Sequence, residues 1–496
     1  LRISKDTLLP AMKSYRHVQI QLLFNSKEPI YQQIKAYIIN EIMRGRLLPG
    51  ALLPGSRVLA QQLKVNRNTI ILAYDQLTAA GWLTSHYKSG TRVSDSMPAG
   101  QKGPPGQETP PKPSLHIPFR HVNISLSPSN PSGNYDIIFD DGRPDLNLIP
   151  VAEISRECKR LFQQDNQRQI FTNNTDRGNE LLLQEVNTML NNDRGLAVTT
   201  ENICITHGMQ MALYLTAQTL LSRGDHVAVE HPGYQPAWQA FNIAGAQLHY
   251  IPSGPEGINI EKLEACCRST PLKALYITPH HQYPTTTTLS AEKRADLLAL
   301  SKRYKFVIIE DDYDHEYHFH THHIPLAGME HVDNIIYIGS VMHTLPISFV
   351  CGPAAFISSL SAYRSVVNHE GDPIFQQAIA NLMAAGDIRR HIHNTRYVYM
   401  KRLELANSII HSIFAGQAHY TRPQGGLAIW LQLHKQVEAE QLLRKVQSAG
   451  MNMVNPLSYY TSQHSHISGL RLGYASLEEP MIIKGLGKLA KVIQQL

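Results

Sequence analysis

The chain is expected to fold as α/β, in two domains of unlike build: a small helical block closed by a hairpin, and a large domain around a mainly parallel sheet. Three observations predict this. Positive charge is concentrated near the N-terminus, a run of prolines divides the chain, and short apolar runs alternate with helical patterns beyond it.

Residues 1–93 carry thirteen lysines and arginines against four carboxylates, a net charge of +9, while the whole 496-residue chain is only +6. The remaining residues are therefore mildly acidic, at −3. A basic block ahead of an acidic body points to a polyanionic partner for the first part alone. The five cysteines are an odd number without a C-x-x-C pair, which argues against a disulfide framework or a thiolate zinc site and fits a reducing cytoplasm. No apolar run approaches the ~20 residues that span a bilayer, and no signal-peptide pattern opens the sequence, so no membrane partner is expected.

Within the first block, Ile30, Ile34, Tyr37, Ile38 and Ile42 recur at helical spacing, and Gly45 ends that helix. A turn through Pro49-Gly50 and Pro54-Gly55 follows. Ser56 is then placed to cap a second, short helix carrying Val58, Leu59 and Leu63. Asn66 caps a third, whose buried stripe is Ile70, Ala73, Tyr74 and Leu77. Trp82-Leu83-Thr84 and Thr91-Arg92-Val93 flank Lys88-Ser89-Gly90, a basic hairpin. This order is the winged helix-turn-helix plan. On it the third helix enters the major groove by its N-terminal end, exposing Arg67, Asn68 and Thr69, residue types suited to reading guanine and adenine edges. Ser56 and Arg57, at a helix start, suit a phosphate. Each residue alone also reads as capping or surface charge; the order and the charge together favour DNA.

Gly45-Arg46-Leu47, Pro49-Gly50, Leu53-Pro54, Ser56-Arg57, Leu59-Ala60, Arg67-Asn68-Thr69 and Ala73-Tyr74 resemble the GntR-type winged-helix signature. The resemblance implies operator binding by a homodimer. The expected boundaries are an N-terminal extension over 1–27, the winged head over 28–93, a proline-rich linker over 94–131, and the large domain over 132–496. The prolines hold the linker extended and remove backbone donors, which makes it a semi-rigid tether.

In the large domain Leu272–Thr278, Phe306–Glu310 and Ile335–Ile338 read as buried strands, and Met209–Leu221 and Ala291–Arg303 as helices. Several stretches, in order, resemble the fold-type I, pyridoxal phosphate-dependent aminotransferases. They are Gly142-Arg143-Pro144-Asp145, Thr206-His207-Gly208-Met209-Gln210, His231-Pro232-Gly233-Tyr234, Thr278 to Pro284, Glu310 to Asp314, Tyr337-Ile338-Gly339-Ser340 and Leu470-Arg471-Leu472-Gly473-Tyr474. Behind a GntR-type head, such a domain is similar to the MocR (GabR-like) regulators. The fold class is thus a small winged helix-turn-helix plus a large aspartate aminotransferase-like domain.

The resemblance implies a pocket for pyridoxal 5'-phosphate. Gly208, Met209 and Gln210 open a helix whose amides suit a phosphate. Tyr234 suits stacking on a pyridine, and Asp311, at the carboxyl edge of the sheet, would pair with a protonated pyridine nitrogen. Tyr313 would reach the phenolic oxygen, and Ser340 closes the motif ahead of the cofactor's anchor. Arg471 matches an arginine that holds the carboxylate of a substrate or effector.

One position departs from the family. The Schiff-base lysine should follow Ser340 by a few residues, and His343 stands there. Imidazole has no primary amine and forms no imine with an aldehyde, although it still serves as acid or base. No lysine occurs between Lys305 and Lys401. The segment from Thr344 to Pro353 is also without the basic residue that the family sets against the phosphate. Transamination is not expected. Either the pocket has drifted away from the cofactor, or it binds pyridoxal phosphate, a related vitamer or an amino acid without a covalent bond. The resulting expectation is a cytoplasmic, nucleoid-associated bacterial transcription regulator; the alternatives are an aminotransferase with an appended head and a scaffold without a ligand.

His315, Glu316, His318, His320, His322 and His323, beside Asp312 and Asp314, are of metal-ligating type, and strand alternation would align His318, His320 and His322. Histidine is abundant throughout, however, at 25 residues, and a surface excursion is expected here. No metal site is therefore assigned.

Overall fold

A computed structural model describes residues 22, 28–44, 46–86, 90–95, 135–163, 170, 174–319, 323–329, 334–368, 371–461 and 464–496. Lys88, almost all of the expected linker, His320 and His322 lie outside the described residues. The chain divides into two compact units, Leu1–His121 and Val122–Leu496.

In the first unit, α1 (Ile30–Met43), α2 (Ser56–Leu63) and α3 (Arg67–Ala79) precede two antiparallel strands, β1 (Leu83–His86) and β2 (Gly90–Val93). One core joins them: Ile34, Ile38 and Ile42 from α1, Leu59 from α2, Ile70, Ala73 and Leu77 from α3, with Trp82 and Val93 from the hairpin. The apolar stripes read from the sequence are thus the buried ones. Asn66 caps α3 by accepting from the Asn68 amide at 2.9 Å. Ser56 does not cap α2. Gly55 is the cap, without a side-chain bond, and Ser56 is the first helical residue. The extended backbone needed at a cap falls one residue earlier, on the glycine after Pro54. Tyr74 ties α3 to that turn, its hydroxyl donating to the Pro54 carbonyl at 2.8 Å.

The second unit is built on an eight-stranded sheet ordered Ile203–Thr206, Ser348–Cys351, Ile335–Ser340, Val307–Asp312, Leu272–Ile277, His226–His231, Gln247–Gly254, Gly257–Ile258. The five strands from Ile335–Ser340 to Gln247–Gly254 run parallel to one another, whereas Ser348–Cys351 is antiparallel to both of its partners. Both faces are buried, as a parallel sheet requires. Alternate residues enter opposite cores: Leu275, Ile277, Ile308, Ile335 and Tyr337 on one side, Ala274, Tyr276, Ile309, Ile336 and Ile338 on the other. The strand expected over Phe306–Glu310 instead runs through Asp312, because Asp311 and Asp312 stay in register with Ile338 and Gly339. A three-stranded antiparallel sheet, Ala418–Tyr420, Ala428–Glu438 and His466–Gly473, packs with Asp387–Ile413 and Glu479–Gln494 around a third core. No helix among the described residues is long and apolar enough to cross a membrane.

Candidate functional site

At the N-terminal end of α3, Arg67 and Asn68 are exposed and Thr69 is half-buried. Arg67 Nε donates to Ser56 Oγ at 3.3 Å, which brings the starts of α2 and α3 together. Ser56 therefore orients the arginine. Arg57, one residue on, is exposed. An exposed guanidinium beside two helix N-termini is chemically matched to a phosphate backbone and base edges.

In the large unit, Gly208 caps the helix Met209–Leu220 with φ of +79°, and a Cβ there would meet nothing within 4 Å. The space over the first amides, which no earlier carbonyl of the helix can reach, is open. Gly208 and Met209 border a cavity of about 270 Å³, together with Tyr234, Asp311, Tyr313, Ser340, His343 and Arg471. The Gln210 side chain turns elsewhere, donating to the Pro236 carbonyl at 2.9 Å.

The geometry at Asp311 suits a pyridinium. Tyr276 donates its hydroxyl to Oδ2 at 2.7 Å, while Oδ1 is buried and without a hydrogen-bond partner. Burial raises the carboxyl to about 7, against the Tyr276 bond, which lowers it. Such a group shares a proton readily with a ring nitrogen. Tyr234 stands at the same cavity, edge-on to Tyr283 with 5.0 Å between centroids. Ser340 Oγ is likewise buried and unpartnered. These donors and acceptors fit the ring and hydroxyl groups of a pyridoxal, and the helix amides fit its phosphate, with no lysine at the wall.

Tyr313 is more occupied than the sequence implies. Its hydroxyl donates to the His281 carbonyl at 2.9 Å and accepts from Arg471 at 3.4 Å. Arg471 is buried, lies 3.3 Å from Asp141 Oδ1, and donates to the Pro284 carbonyl at 3.1 Å. Its guanidinium also covers the Tyr283 ring at 4.8 Å. A ligand carboxylate at Arg471 would thus compete with Asp141, whose carboxyl burial raises to about 6. Tyr276 and Asp141 escaped the sequence reading, and Tyr283 entered it only within a family motif, since only the chain's return from distant segments makes them partners of Asp311 and Arg471.

His343, expected from the resemblance at the anchor position, lines the same cavity. Its Nδ1 lies 2.9 Å from the Tyr313 carbonyl, and its amide donates to Glu316 Oε1 at 2.6 Å. Desolvation lowers its pKa, opposed by the Tyr313 carbonyl. The segment after it turns directly into the strand Ser348–Cys351 and carries no basic side chain.

A second constellation lies across the strand. Asp311 faces the cavity, and Asp312, its neighbour, faces the other side. Asp312 accepts from His280 at 3.1 Å, His315 at 2.7 Å and Tyr337 at 2.6 Å. The expected alignment of His318 with His320 and His322 lies outside the described residues; His318 itself packs on His280 and His281, two residues from a loop after a different strand. Burial lowers the pKa of His280, and those of His318 and His323 to about 2, so these rings are neutral.

A helix-rich, hairpin-closed head joined to a fold-type I domain defines the class. A family model described as "Aminotransferase class I and II" matches residues 142–489, and one described as "Bacterial regulatory proteins, gntR family" matches residues 30–93. The chain belongs to the aminotransferase class I and II family, in the MocR architecture that a GntR head creates. It is 27% identical over 466 residues to the probable rhizopine catabolism regulatory protein MocR of Rhizobium meliloti, covering 93% of each chain. It is 26% identical to the HTH-type pyridoxine biosynthesis transcriptional regulator PdxR of Corynebacterium glutamicum, covering 96% of this chain and 98% of that one. Among solved structures, LysN, the alpha-aminoadipate aminotransferase of Thermus thermophilus complexed with N-(5'-phosphopyridoxyl)-L-leucine, is similar with a TM-score of 0.67. That match has 24% identity and covers 72% of this chain and 92% of LysN. This likeness shows the fold.

Proposed function

We propose that the protein is a dimeric, cytoplasmic transcription regulator whose winged head binds operator DNA and whose large domain is a non-catalytic receptor. Its effector is pyridoxal 5'-phosphate, a related vitamer, or an amino acid held at Arg471. The observation that supports this reading is that His343, held by Tyr313 and Glu316, lines the cavity where the family resemblance expects a primary amine, and no lysine borders it. Without that amine the aldehyde finds no nitrogen to condense with, while the unpartnered Asp311 Oδ1 and Ser340 Oγ still offer polar contacts. The words "regulatory protein" and "transcriptional regulator" in the names of relatives matched over more than nine-tenths of their length support the same reading.

In the head, Ser56, Arg57, Arg67, Asn68, Thr69 and Lys88 make the DNA contacts, with phosphate contacts fixing position and Arg67 and Asn68 reading bases. Occupation of the cavity biases how the two heads are presented to two half-sites. Electrophoretic mobility shift on the protein's own upstream DNA, with and without pyridoxal 5'-phosphate, tests both halves. Expected are a saturable, salt-sensitive complex and an effector-dependent change in its affinity. Absence of any DNA complex rejects the regulator, and an affinity unmoved by each vitamer and amino acid rejects the receptor. Pyridoxal phosphate supplies, when bound, an electron-accepting ring and an aldehyde; here Asp311 would hold its ring nitrogen, and the Met209 and Gln210 amides its phosphate.

A further inference from the structure

On the face of the sheet opposite the pyridoxal-type cavity, two loops bring three imidazoles together. His280 and His281 follow the strand Leu272–Ile277, and His318 follows the strand Val307–Asp312. All three are buried, and one ring nitrogen from each lies within 4.8 Å of the other two. Behind the first two rings stand carboxylates: Asp312 Oδ1 lies 3.1 Å from His280 Nδ1, and Asp314 Oδ1 lies 2.8 Å from His281 Nδ1. Each Nδ1 is thereby the donor, which leaves Nε2 with its lone pair. His281 Nε2 is buried without any hydrogen-bond partner, and an unsatisfied nitrogen at that depth is costly unless something accepts its lone pair.

We propose that His280, His281 and His318 form a binding site for a divalent transition-metal ion of the zinc class. The arrangement is a pair of carboxylate–histidine supports converging on one point, and such supports fix the tautomer and raise the basicity of ligating histidines. Three neutral imidazoles select a borderline-soft cation such as zinc over magnesium or calcium, which prefer oxygen. Tetrahedral zinc holds ligand nitrogens roughly 3.3 Å apart at Zn–N of ~2.0–2.1 Å. Both ring nitrogens of His318 lie 2.6 Å from His280 Nε2, so coordination requires the His318 ring to turn and draw back until one nitrogen stands at the ligand spacing. His318 has room to move, because it lines a cavity of about 650 Å³. The alternative trio of His280, Asp312 and His315 is less suited, since both oxygens of Asp312 already accept from ring nitrogens or Tyr337.

The site also communicates with the pyridoxal-type cavity. Tyr313, on the cavity wall, donates its hydroxyl to the carbonyl of His281. An ion that fixes His281 therefore fixes a residue of the effector pocket.

The test uses the full-length protein, stripped with a chelator and titrated with zinc chloride by calorimetry at neutral pH, with magnesium chloride as the comparison. Expected are one zinc per chain, no magnesium uptake, and a zinc-dependent rise in the thermal midpoint. His281→Gln and His318→Ala should each weaken zinc by more than ~100-fold, and Asp314→Asn by ~10–100-fold, while His315→Ala keeps binding. If His318→Ala fails to fold, Asp314→Asn, which keeps the shape of the carboxylate, carries the test. The proposal is overturned by wild-type protein that takes up no stoichiometric zinc, or by uptake that His281→Gln and Asp314→Asn leave intact. Loss in His315→Ala alone would overturn it equally, by placing the ion at Asp312. DNA binding by the zinc-free protein is a separate readout.

Discussion

His343 Nδ1 lies 2.9 Å from the carbonyl oxygen of Tyr313. A carbonyl only accepts, so Nδ1 carries the proton and the neutral ring presents Nε2 as an acceptor. The His343 side chain is thus tied to the backbone of the loop that forms the cavity wall. It serves as a polar lining there and offers no amine to an aldehyde.

The variant His343→Lys restores the amine and removes the contact to Tyr313. It should acquire a borohydride-fixable pyridoxyl group on the introduced side chain, weakly populated because no basic side chain faces the phosphate. The loss of such a charged partner typically costs ~1.5–3 kcal/mol of binding. Mass spectrometry of the reduced protein reads the adduct directly. Wild-type protein should show none in the pocket, and an adduct on a natural pocket lysine would place the anchor elsewhere than His343.

For the head, operator affinity should fall steeply with salt as phosphate contacts release counterions. Arg67→Ala should cost ~1–3 kcal/mol at one base step and relax the preference there, whereas Lys88→Ala should weaken all sequences alike. Ser56→Ala should reproduce part of the Arg67 effect, because Ser56 Oγ is the arginine's partner. Fluorescence anisotropy against a set of single-base operator variants separates these outcomes.

Removal of residues 1–131 should leave a folded, soluble dimer. Among the described residues, the head's core is drawn from residues up to Val93, and the three main cores of the large unit from residues from Ile137 onward. Each set of apolar side chains forms a core of its own. Analytical ultracentrifugation and far-UV circular dichroism check this, and a monomer or an aggregate would contradict it.

Glu230 gives a pH dependence with a definite sign. Its carboxylate accepts from the Thr278 amide and hydroxyl at 3.0 and 3.1 Å, yet burial dominates and pushes its pKa up to about 7. Between the ordinary value of 4.5 and about 7 the folded protein keeps a proton that the unfolded chain releases. Stability from this group is therefore complete below about 4.5 and falls as pH rises through about 7. Urea unfolding at several pH values should show Glu230→Gln with a flatter slope across that window than the wild type.

Local patterns carried most of the fold. The stripes Ile34-Ile38-Ile42 and Ile70-Ala73-Leu77, and the runs over 272–278 and 335–338, depend on side-chain period and apolar character, and burial follows them closely. Motif order anticipated Gly208, Met209, Tyr234, Asp311, Tyr313, Ser340, His343 and Arg471 around one cavity, since most of them close a strand or open a helix at the same edge of the sheet. The Gln210 side chain turns away from that wall toward the Pro236 carbonyl, as successive side chains of a helix diverge. The cap of α2 moved from Ser56 to Gly55 for a similarly local reason, the extended backbone after Pro54.

Sequence alone was thus enough for the two-part architecture, the basic head, the sheet with its carboxyl-edge aspartates, and the lack of an amine at position 343. Which polar groups meet was settled by tertiary packing. Tyr276 reaches Asp311 across neighbouring strands, Asp141 returns to Arg471 over a separation of 330 residues, and His280 and His281 close on His318 from another loop. Along the chain, histidines 315–323 looked like a surface run. Period and composition report how one segment partitions between water and core. A hydrogen bond or a metal site is instead a three-dimensional meeting of segments, whose registers are fixed only when the whole sheet packs.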